Sequence, residues 1–145
     1  MDTNDIVLSG MQLKKLIEKK AAPLIEEFQL RPVELDLLVF LAKEDSVDTA
    51  SEIMKRKHLS KAHISKSLDH LHNKGYIQFQ EEPEDRRMLH IILTEQSYQV
   101  IEKVVHIYME CRRILQEGLT PQERAVMKRA IKKINDNINK ELGEI

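Results

Sequence analysis

The sequence predicts a mainly α-helical protein with one small β-hairpin. Apolar residues recur every three or four positions along most of the 145-residue chain, which is the spacing of an amphipathic helix. A period of two occurs at Ile77 and Phe79 and again at Leu89, Ile91 and Leu93, as in two half-buried strands. The acidic segment 81–84 separates these strands and predicts the tip of the hairpin.

Three helices are predicted in the N-terminal part of the chain. The first covers about residues 6–29, and Pro32 suits the first turn of the second. Thr49 and Glu52 have the spacing of a capping box, in which each side chain bonds the other residue's backbone amide, so a short third helix begins there. The predicted apolar face of the second helix consists of Leu35, Leu38, Val39 and Ala42.

The fourth predicted helix has one apolar and one polar face. Ser60 suits its N-cap, and Gly75 suits a left-handed stop at its C-terminus. Ala62, His63 and Lys66 are expected to be exposed near its N-terminal half, where a DNA recognition helix presents side chains to the major groove. At about 100° per residue, the apolar face consists of Ile64, Leu68 and Leu71, and Ala62, Lys66, Asp69 and Asn73 point away from it.

Two long helices follow the hairpin. Thr94 is predicted to cap the fifth, which ends near Gly118, and Thr120, Pro121 and Glu123 mark the start of the sixth. Both carry apolar stripes that need a partner, and long terminal helices beside a small central unit favour dimerisation over packing within one chain. The stripes are Tyr98, Ile101, Val105, Tyr108 and Leu115 in the fifth helix and Met127, Ile131, Ile134, Ile138 and Leu142 in the sixth.

The charge distribution indicates one basic region. A net charge of −1 argues against a generally basic nucleic-acid binder. Segment 52–74 is nevertheless strongly positive, and such local clustering is typical of phosphate contacts, although a solvated helix face would have the same composition. Its cations are Lys55, Arg56, Lys57, Lys61, Lys66 and Lys74, against Glu52 and Asp69.

The segment after the acidic tip supplies a second candidate contact with DNA. If Asp85 and Arg87 lie two apart in a strand they face the same side and can pair, which would aim the guanidinium outward. Arginine fits the narrow, electronegative minor groove of A·T-rich DNA. An ordinary surface salt bridge is the alternative interpretation.

Composition and motifs exclude several classes of protein. No apolar run approaches the roughly 18 residues that cross a bilayer and no signal segment begins the chain, so we expect one cytoplasmic domain over residues 1–145. The lone Cys111 is interpreted as a buried hydrophobe rather than a redox sensor. The chain has four glycines and no phosphate loop or nucleophile elbow, which argues against an enzyme. Its histidines lack metal-ligand spacing, and no cofactor or metal is predicted.

Segments 30–38, 59–77 and 84–95, in this order and spacing, resemble the MarR family of bacterial winged helix-turn-helix transcriptional regulators. The resemblance implies a winged-helix DNA-binding lobe over about residues 30–95. It also implies dimerisation helices over about 1–29 and 96–145, and a homodimer that binds a pseudo-palindromic operator, usually as a repressor. A winged-helix adaptor that binds only proteins is the alternative, because one fold can host many functions.

The resemblance also implies roles for individual residues. Arg87, braced by Asp85, would enter the minor groove, and Arg86 would contact the backbone. The family often has arginine where this chain has Phe79 or Gln80, and the tip is acidic, so fewer phosphate contacts are expected from the wing. Base edges would be contacted by Ala62, His63 and Lys66, phosphates by Ser51, Ser60 and Lys61, and a small effector by Met11, Phe28, Tyr108 and Cys111.

Overall fold

Six α-helices and one two-stranded hairpin make up the computed structural model, which describes residues 2–43 and 47–143. The predicted fold class is confirmed. No helix in the described part of the chain is long and apolar enough to cross a membrane. The elements are α1 (Thr3–Phe28), α2 (Pro32–Lys43), α3 (Ala50–Lys57), α4 (Lys61–Asn73), β1 (Ile77–Glu81), β2 (Leu89–Leu93), α5 (Glu95–Gln116) and α6 (Pro121–Leu142).

The chain divides into two compact units, residues 1–109 and residues 110–145. The first unit holds the hydrophobic core, to which α1, α2, α3, α4, the hairpin and the first half of α5 each contribute apolar side chains. Its centre is formed by fully buried residues, namely Leu37, Leu38, Ile53, Ile64, Leu71 and Val100.

Helix α2 is buried on more sides than its sequence pattern predicts. Leu35, Leu38 and Val39 are buried as expected, but Leu37 and Leu41 are buried too. The helix packs against α1, α4 and β2 at once, so most of its circumference is enclosed. The predicted single face ending in Ala42 is therefore wrong, since Ala42 is exposed.

Helix α4 has the termini that its sequence predicts. The Ser60 hydroxyl accepts a hydrogen bond from the His63 backbone amide at 3.2 Å. At the other end Gly75 is left-handed, with φ of 83°, and its amide donates to the His72 carbonyl oxygen at 2.9 Å. These local bonds fix where the helix begins and ends, and hence which side chains lie at its exposed N-terminal half.

The hairpin pairs Ile77 with Leu93 and Glu81 with Leu89, so Glu81 belongs to the strand rather than to the predicted tip. Leu89 is 42% exposed instead of half-buried, because it lies at the open end of the hairpin. The Thr94 hydroxyl donates to the Gly75 carbonyl oxygen at 2.6 Å and thereby joins β2 to the end of α4. Thr94 directly precedes α5, as predicted, and its carbonyl oxygen accepts from the Ser97 amide at 3.1 Å.

The buried face of α5 in the first unit is offset from the predicted stripe. Val100, Ile101 and Val104 are buried, together with Ser97, whose hydroxyl donates to the Thr94 carbonyl oxygen at 2.6 Å. This satisfied serine occupies the inward position that the periodicity assigned to Tyr98, and Tyr98 is 55% exposed.

Helix α6 begins as predicted and buries none of its residues Pro121–Leu142. The Thr120 hydroxyl accepts from the Glu123 amide at 3.1 Å, and the Glu123 carboxylate accepts from the Thr120 amide at 2.7 Å. The helix is therefore well capped, yet its apolar stripe remains open to solvent in a single chain.

Candidate nucleic-acid interface

Helices α3 and α4 form a helix-turn-helix. Helix α3 is capped at its C-terminus by His58, a left-handed residue with φ of 53° whose amide donates to the Met54 carbonyl oxygen at 3.1 Å. Two residues later Ser60 caps α4, so the connection is short. Helices α3 and α4 pack against each other, and Ile53 of α3 and Ile64 of α4 are both fully buried in the core.

The exposed face of α4 carries the side chains predicted to read DNA. Ala62, His63 and Lys66 are all exposed, while Ile64 and Leu68 anchor the opposite face in the core. Amine and imidazole groups can hydrogen-bond to base edges, and a small alanine permits close approach. The arrangement is that of a helix whose buried face is fully used and whose polar face is free to bind.

A groove of about 500 Å³ lies between the start of α3, the start of α4 and the hairpin. The structure brings four predicted site residues to its walls: Ser51, Lys61, Asp85 and Arg87. The predicted residues Ser60, Ala62, His63, Lys66 and Arg86 are exposed but do not line this groove. The hairpin and its tip, residues 77–93, form the wing of the fold. The helix-turn-helix and the wing therefore line one groove, with the cations Lys61 and Arg87 on its walls.

The wing tip differs in detail from the sequence prediction. Residues 82–88 lie outside the strands, and the Met88 amide donates to the Asp85 carbonyl oxygen at 3.0 Å to close a turn. The Asp85 carboxylate accepts from the Arg87 backbone amide at 3.0 Å, and no ion pair joins it to the Arg87 guanidinium among the described residues. Asp85 thus shapes the turn that carries Arg87, and the predicted side-chain brace is wrong.

Some cations of segment 52–74 make contacts within the fold, and others are exposed without an ion pair. Lys57 pairs with Asp36 and lies over the Phe40 ring, 5.3 Å from its centroid, while Lys74 donates to the Phe28 carbonyl oxygen at 2.7 Å. These two cations stabilise the fold. Lys61 and Lys66 of α4, like Arg56 of α3, are exposed and make no ion pair with any residue that the structure describes, so their charges are available to phosphate or bases.

Sequence reasoning missed Ser65 and Thr49, which also line the groove. Ser65 is exposed and lies one turn beyond Lys61 in α4, so a count of four residues from Lys61 would have found it. The spacing of Thr49 marked it as a cap, and its hydroxyl does accept from the Glu52 amide, at 3.4 Å. The reciprocal bond of the predicted capping box is absent from the described contacts of α3.

A buried carboxylate positions α4 on α2. Glu34 is fully buried and accepts from the Arg31 backbone amide at 3.0 Å, from Arg31 Nε at 2.8 Å and from His70 Nδ1 at 2.8 Å. Burial raises the pKa of the Glu34 carboxyl, but these hydrogen bonds and the Arg31 charge outweigh it and leave the pKa below its ordinary value of 4.5. Because His70 belongs to α4, the charged form of Glu34 ties α4 to the core.

The four predicted effector residues are spread along the chain. Met11 is 65% exposed, and Phe28 lies about 25 Å farther along α1 at about 1.5 Å of rise per residue. These two side chains therefore cannot line one pocket of a single chain. Tyr108 donates its hydroxyl to Asp36 Oδ1 at 3.1 Å, and Cys111 is buried.

Sequence comparison finds a similarity to a known family over the helix-turn-helix and the first strand of the hairpin. A model of the MarR family matches residues 28–88. YdgJ of Bacillus subtilis, an HTH-type transcriptional regulator of uncharacterised role, is 25% identical over 105 residues that cover 72% of this chain and 63% of YdgJ. The chain thus spans about 63% of the length of this curated relative.

Solved structures extend the likeness to the whole fold. A MarR protein from Peptoclostridium difficile aligns over 97% of this chain and 91% of its own, with a TM-score of 0.84 and 18% identity. A MarR family regulator from Listeria monocytogenes, in complex with a 26mer DNA, aligns over 97% and 91%, with a TM-score of 0.85 and 16% identity. The S. aureus MepR–DNA complex aligns over 94% and 99%, with a TM-score of 0.78 and 22% identity. The match to the MarR family therefore covers α2, α3, α4, β1 and the tip of the hairpin, and the chain has the fold of solved MarR-family proteins.

Proposed function

We propose that this protein is a sequence-specific DNA-binding transcriptional regulator, with α4 in the major groove and the wing in the adjacent minor groove. The observation that carries the proposal is the groove whose walls hold both Lys61 of α4 and Arg87 of the wing, with Lys66 also exposed on α4. An adaptor that binds only proteins would have no use for unpaired cations on both parts. Two structural relatives were solved in complex with DNA, which supports the same assignment.

The proposed residue roles follow the chemistry of each position. Lys66 and His63 contact base edges, with Ala62 allowing close approach, because they occupy the exposed face of α4. Arg87 enters the minor groove from a turn that Asp85 shapes, and Arg86 contacts the backbone. Phosphates are contacted by Ser51, Ser60 and Lys61.

The proposed active form is a homodimer on a pseudo-palindromic operator. Helix α6 exposes Met127, Ile131 and Ile138, and the first turns of α1 expose Ile6, Val7, Leu8 and Met11. Burying such side chains against a second copy would stabilise a dimer by about 25 cal/mol for each Å² removed from water. A dimer would place two recognition helices about one DNA turn apart. Segments 1–29 and 96–145 are thus the proposed dimerisation helices.

The proposed biological role is repression in the cytoplasm, relieved by a small molecule. A ligand can shift DNA affinity only if it binds the two states of the protein unequally. Met11, Phe28, Tyr108 and Cys111 stay candidates for this effector, with Met11 and Phe28 contributing from different chains or different pockets.

The proposal is tested by selecting duplexes from a randomised pool and titrating the preferred operator by fluorescence anisotropy over a salt series. Arg87→Ala should weaken binding by about 1–3 kcal/mol, with the larger loss on A·T-rich flanks, and Lys66→Ala should relax the preference at one position. Lys133→Ala removes an exposed charge from α6 and is the matched control, which should leave operator affinity near that of the wild type.

Two results would contradict the proposal. If selection enriches no sequence from the pool and no duplex binds in a salt-dependent way, the adaptor that binds only proteins is favoured, since phosphate contacts release counterions. An Arg87→Ala variant that binds the operator as tightly as the wild type at every salt concentration would remove the wing from the interface and leave α4 alone.

A further inference from the structure

One histidine in the wing has a carboxylate at each ring nitrogen. His90 Nδ1 lies 2.9 Å from Asp48 Oδ1, and His90 Nε2 lies 2.7 Å from Glu82 Oε2. The His90 side chain is 27% exposed, so water reaches the cluster only in part. In both pairs the acceptor is a carboxylate oxygen, which cannot itself donate a proton when ionised.

The three residues come from three different segments of the chain. Asp48 immediately precedes Thr49, the N-cap of α3, whereas His90 is in β2 and Glu82 begins the wing tip. The Ile91 amide also donates to the Asp48 carbonyl oxygen at 2.6 Å, so the backbone of β2 is anchored beside the helix-turn-helix independently of the ring. The Glu82 contact extends this anchorage to the tip that carries Arg87.

Only the protonated ring satisfies both contacts. A neutral imidazole has one N–H and one lone pair, and the lone pair would face a carboxylate oxygen. Among the described residues, the charged groups that act on the ring are Asp48 and Glu82, and its partner across the hairpin is the uncharged Gln80. Loss of one proton therefore breaks one of the two contacts.

We propose that His90 is a positioning residue whose protonated ring fixes the wing tip against the start of α3, so that operator binding weakens as the pH rises. The inference rests on the proposed DNA contact of the wing for its effect on affinity. Its effect on the position of the wing is independent of any DNA.

The direction of the pH effect follows from the contacts. Hydrogen bonds to Asp48 and then to Glu82, with their negative charges, raise the pKa of His90 above its ordinary value of 6.5 despite partial desolvation. The anchored wing is therefore fully maintained below pH 6.5 and is lost as the pH rises through the raised pKa.

The first test uses the free full-length protein and needs no DNA. The ring of His90 is followed by NMR against pH, together with the backbone amides of Arg86 and Arg87. We expect His90 to titrate above 6.5 and the two amides to shift with the same midpoint. In Glu82→Gln the His90 midpoint should fall, and in His90→Gln the pH-dependent shift of the amides should disappear.

The second test measures operator affinity from about pH 6 to about pH 8.5, the range over which a histidine titrates. His63→Gln serves as the background, because it removes the histidine on the exposed face of α4 and leaves His90 unchanged. Affinity should fall with rising pH by about fivefold, the low end of the coupling seen between linked sites. His90→Gln in the same background should bind weakly at every pH, and thermal unfolding confirms that it is folded.

The outcomes are separable. The positioning role is overturned if the midpoint of the His90 titration lies at or below pH 6.5. It is also overturned if the Arg86 and Arg87 amides do not shift when His90 titrates. If the Arg86 and Arg87 amides shift with the His90 midpoint, but operator affinity in the His63→Gln background does not change with pH, the link between the wing position and DNA binding is overturned. If the wild type binds no duplex DNA, the proposed function fails, while the NMR titration still decides whether His90 positions the wing.

Discussion

Helices α4 and α6 have the same kind of apolar periodicity, but the apolar face is buried in α4 and exposed in α6. The apolar face of α4, formed by Ile64, Leu68 and Leu71, is buried against the core. The stripe of α6 has equally large side chains, yet Ile131 and Ile138 are each 50% exposed. Periodicity therefore predicts that a face will be apolar, but whether it is covered depends on partners elsewhere in the chain or on another chain.

The difference separates two functions of helices in this protein. Burying a leucine or isoleucine side chain fully is worth roughly 1.5–3 kcal/mol, and α4 obtains this within the chain. Its polar face is thereby left free and rigidly placed. Helix α6 has no such partner among the described residues of its own unit, so the same energy is available for association with a second copy.

The largest expected effect comes from charging the open stripe. Ile134→Glu combined with Ile138→Glu should abolish the dimer and, with it, tight operator binding, because charged groups cannot be buried unpaired at an apolar interface. Sedimentation and operator titration measure both. Lys133→Ala with Lys140→Ala makes the same change in net charge on the polar side of α6 and should leave both properties intact. Equal loss in the control would mean that charge, and not the apolar stripe, governs assembly.

A smaller effect is expected when the internal anchorage of α4 is weakened. Glu34→Gln should lower the free energy of unfolding by about 2 kcal/mol at pH 7, since a buried hydrogen-bonded ion pair loses its charge. The Glu34 pKa is lowered, so its contribution is present above pH 4.5 and is lost as the pH falls through the folded pKa. The gap between variant and wild type should therefore shrink in acid.

Urea unfolding at one fixed protein concentration measures this gap at each pH. The exposed Glu84 offers a matched control, because Glu84→Gln makes the same chemical change without buried partners and should stay within about 0.5 kcal/mol of the wild type. A constant gap from neutral to acidic pH would mean that the Glu34 charge contributes nothing to the anchorage.

The smallest expected effect distinguishes a turn-shaping aspartate from a side-chain brace. Asp85→Ala removes the acceptor of the Arg87 amide and should weaken operator binding by about 1 kcal/mol through added disorder of the turn. Asp85→Asn retains an acceptor oxygen and should bind at least as tightly as the wild type, having also lost a negative charge near the DNA. Equal weakening in both variants would restore the ion pair with the Arg87 guanidinium as the explanation.

Local chemistry explains what the sequence predicts well. Ser60 and Gly75 end α4 through bonds to residues three positions away or nearer, so their roles are visible in the sequence. The Thr94 hydroxyl instead bonds to Gly75, nineteen residues earlier, and the His90 ring bonds to Asp48. Such long-range contacts depend on the packed fold, as does the enclosure of Leu37 and Leu41, and periodicity contains no information about them.

The candidate site shows the same division. The exposure of Ala62, His63 and Lys66 follows from helical geometry and was predicted correctly. The groove that joins Lys61 to Arg87 needs the hairpin to fold back beside α3, and the bond from Asp85 to the Arg87 amide needs a turn where an alternating strand was expected.

The most direct test of the contrast between the two helices is the number of chains bound to one operator duplex, measured by sedimentation velocity with and without DNA. We predict a dimer of the 17.0 kDa chain in both cases and two chains on each operator. The reason is that the apolar stripe of α6 is not buried within its own chain, whereas the apolar face of each helix-turn-helix is. A single 17.0 kDa chain in solution at micromolar concentration, and one chain per duplex, would contradict the account.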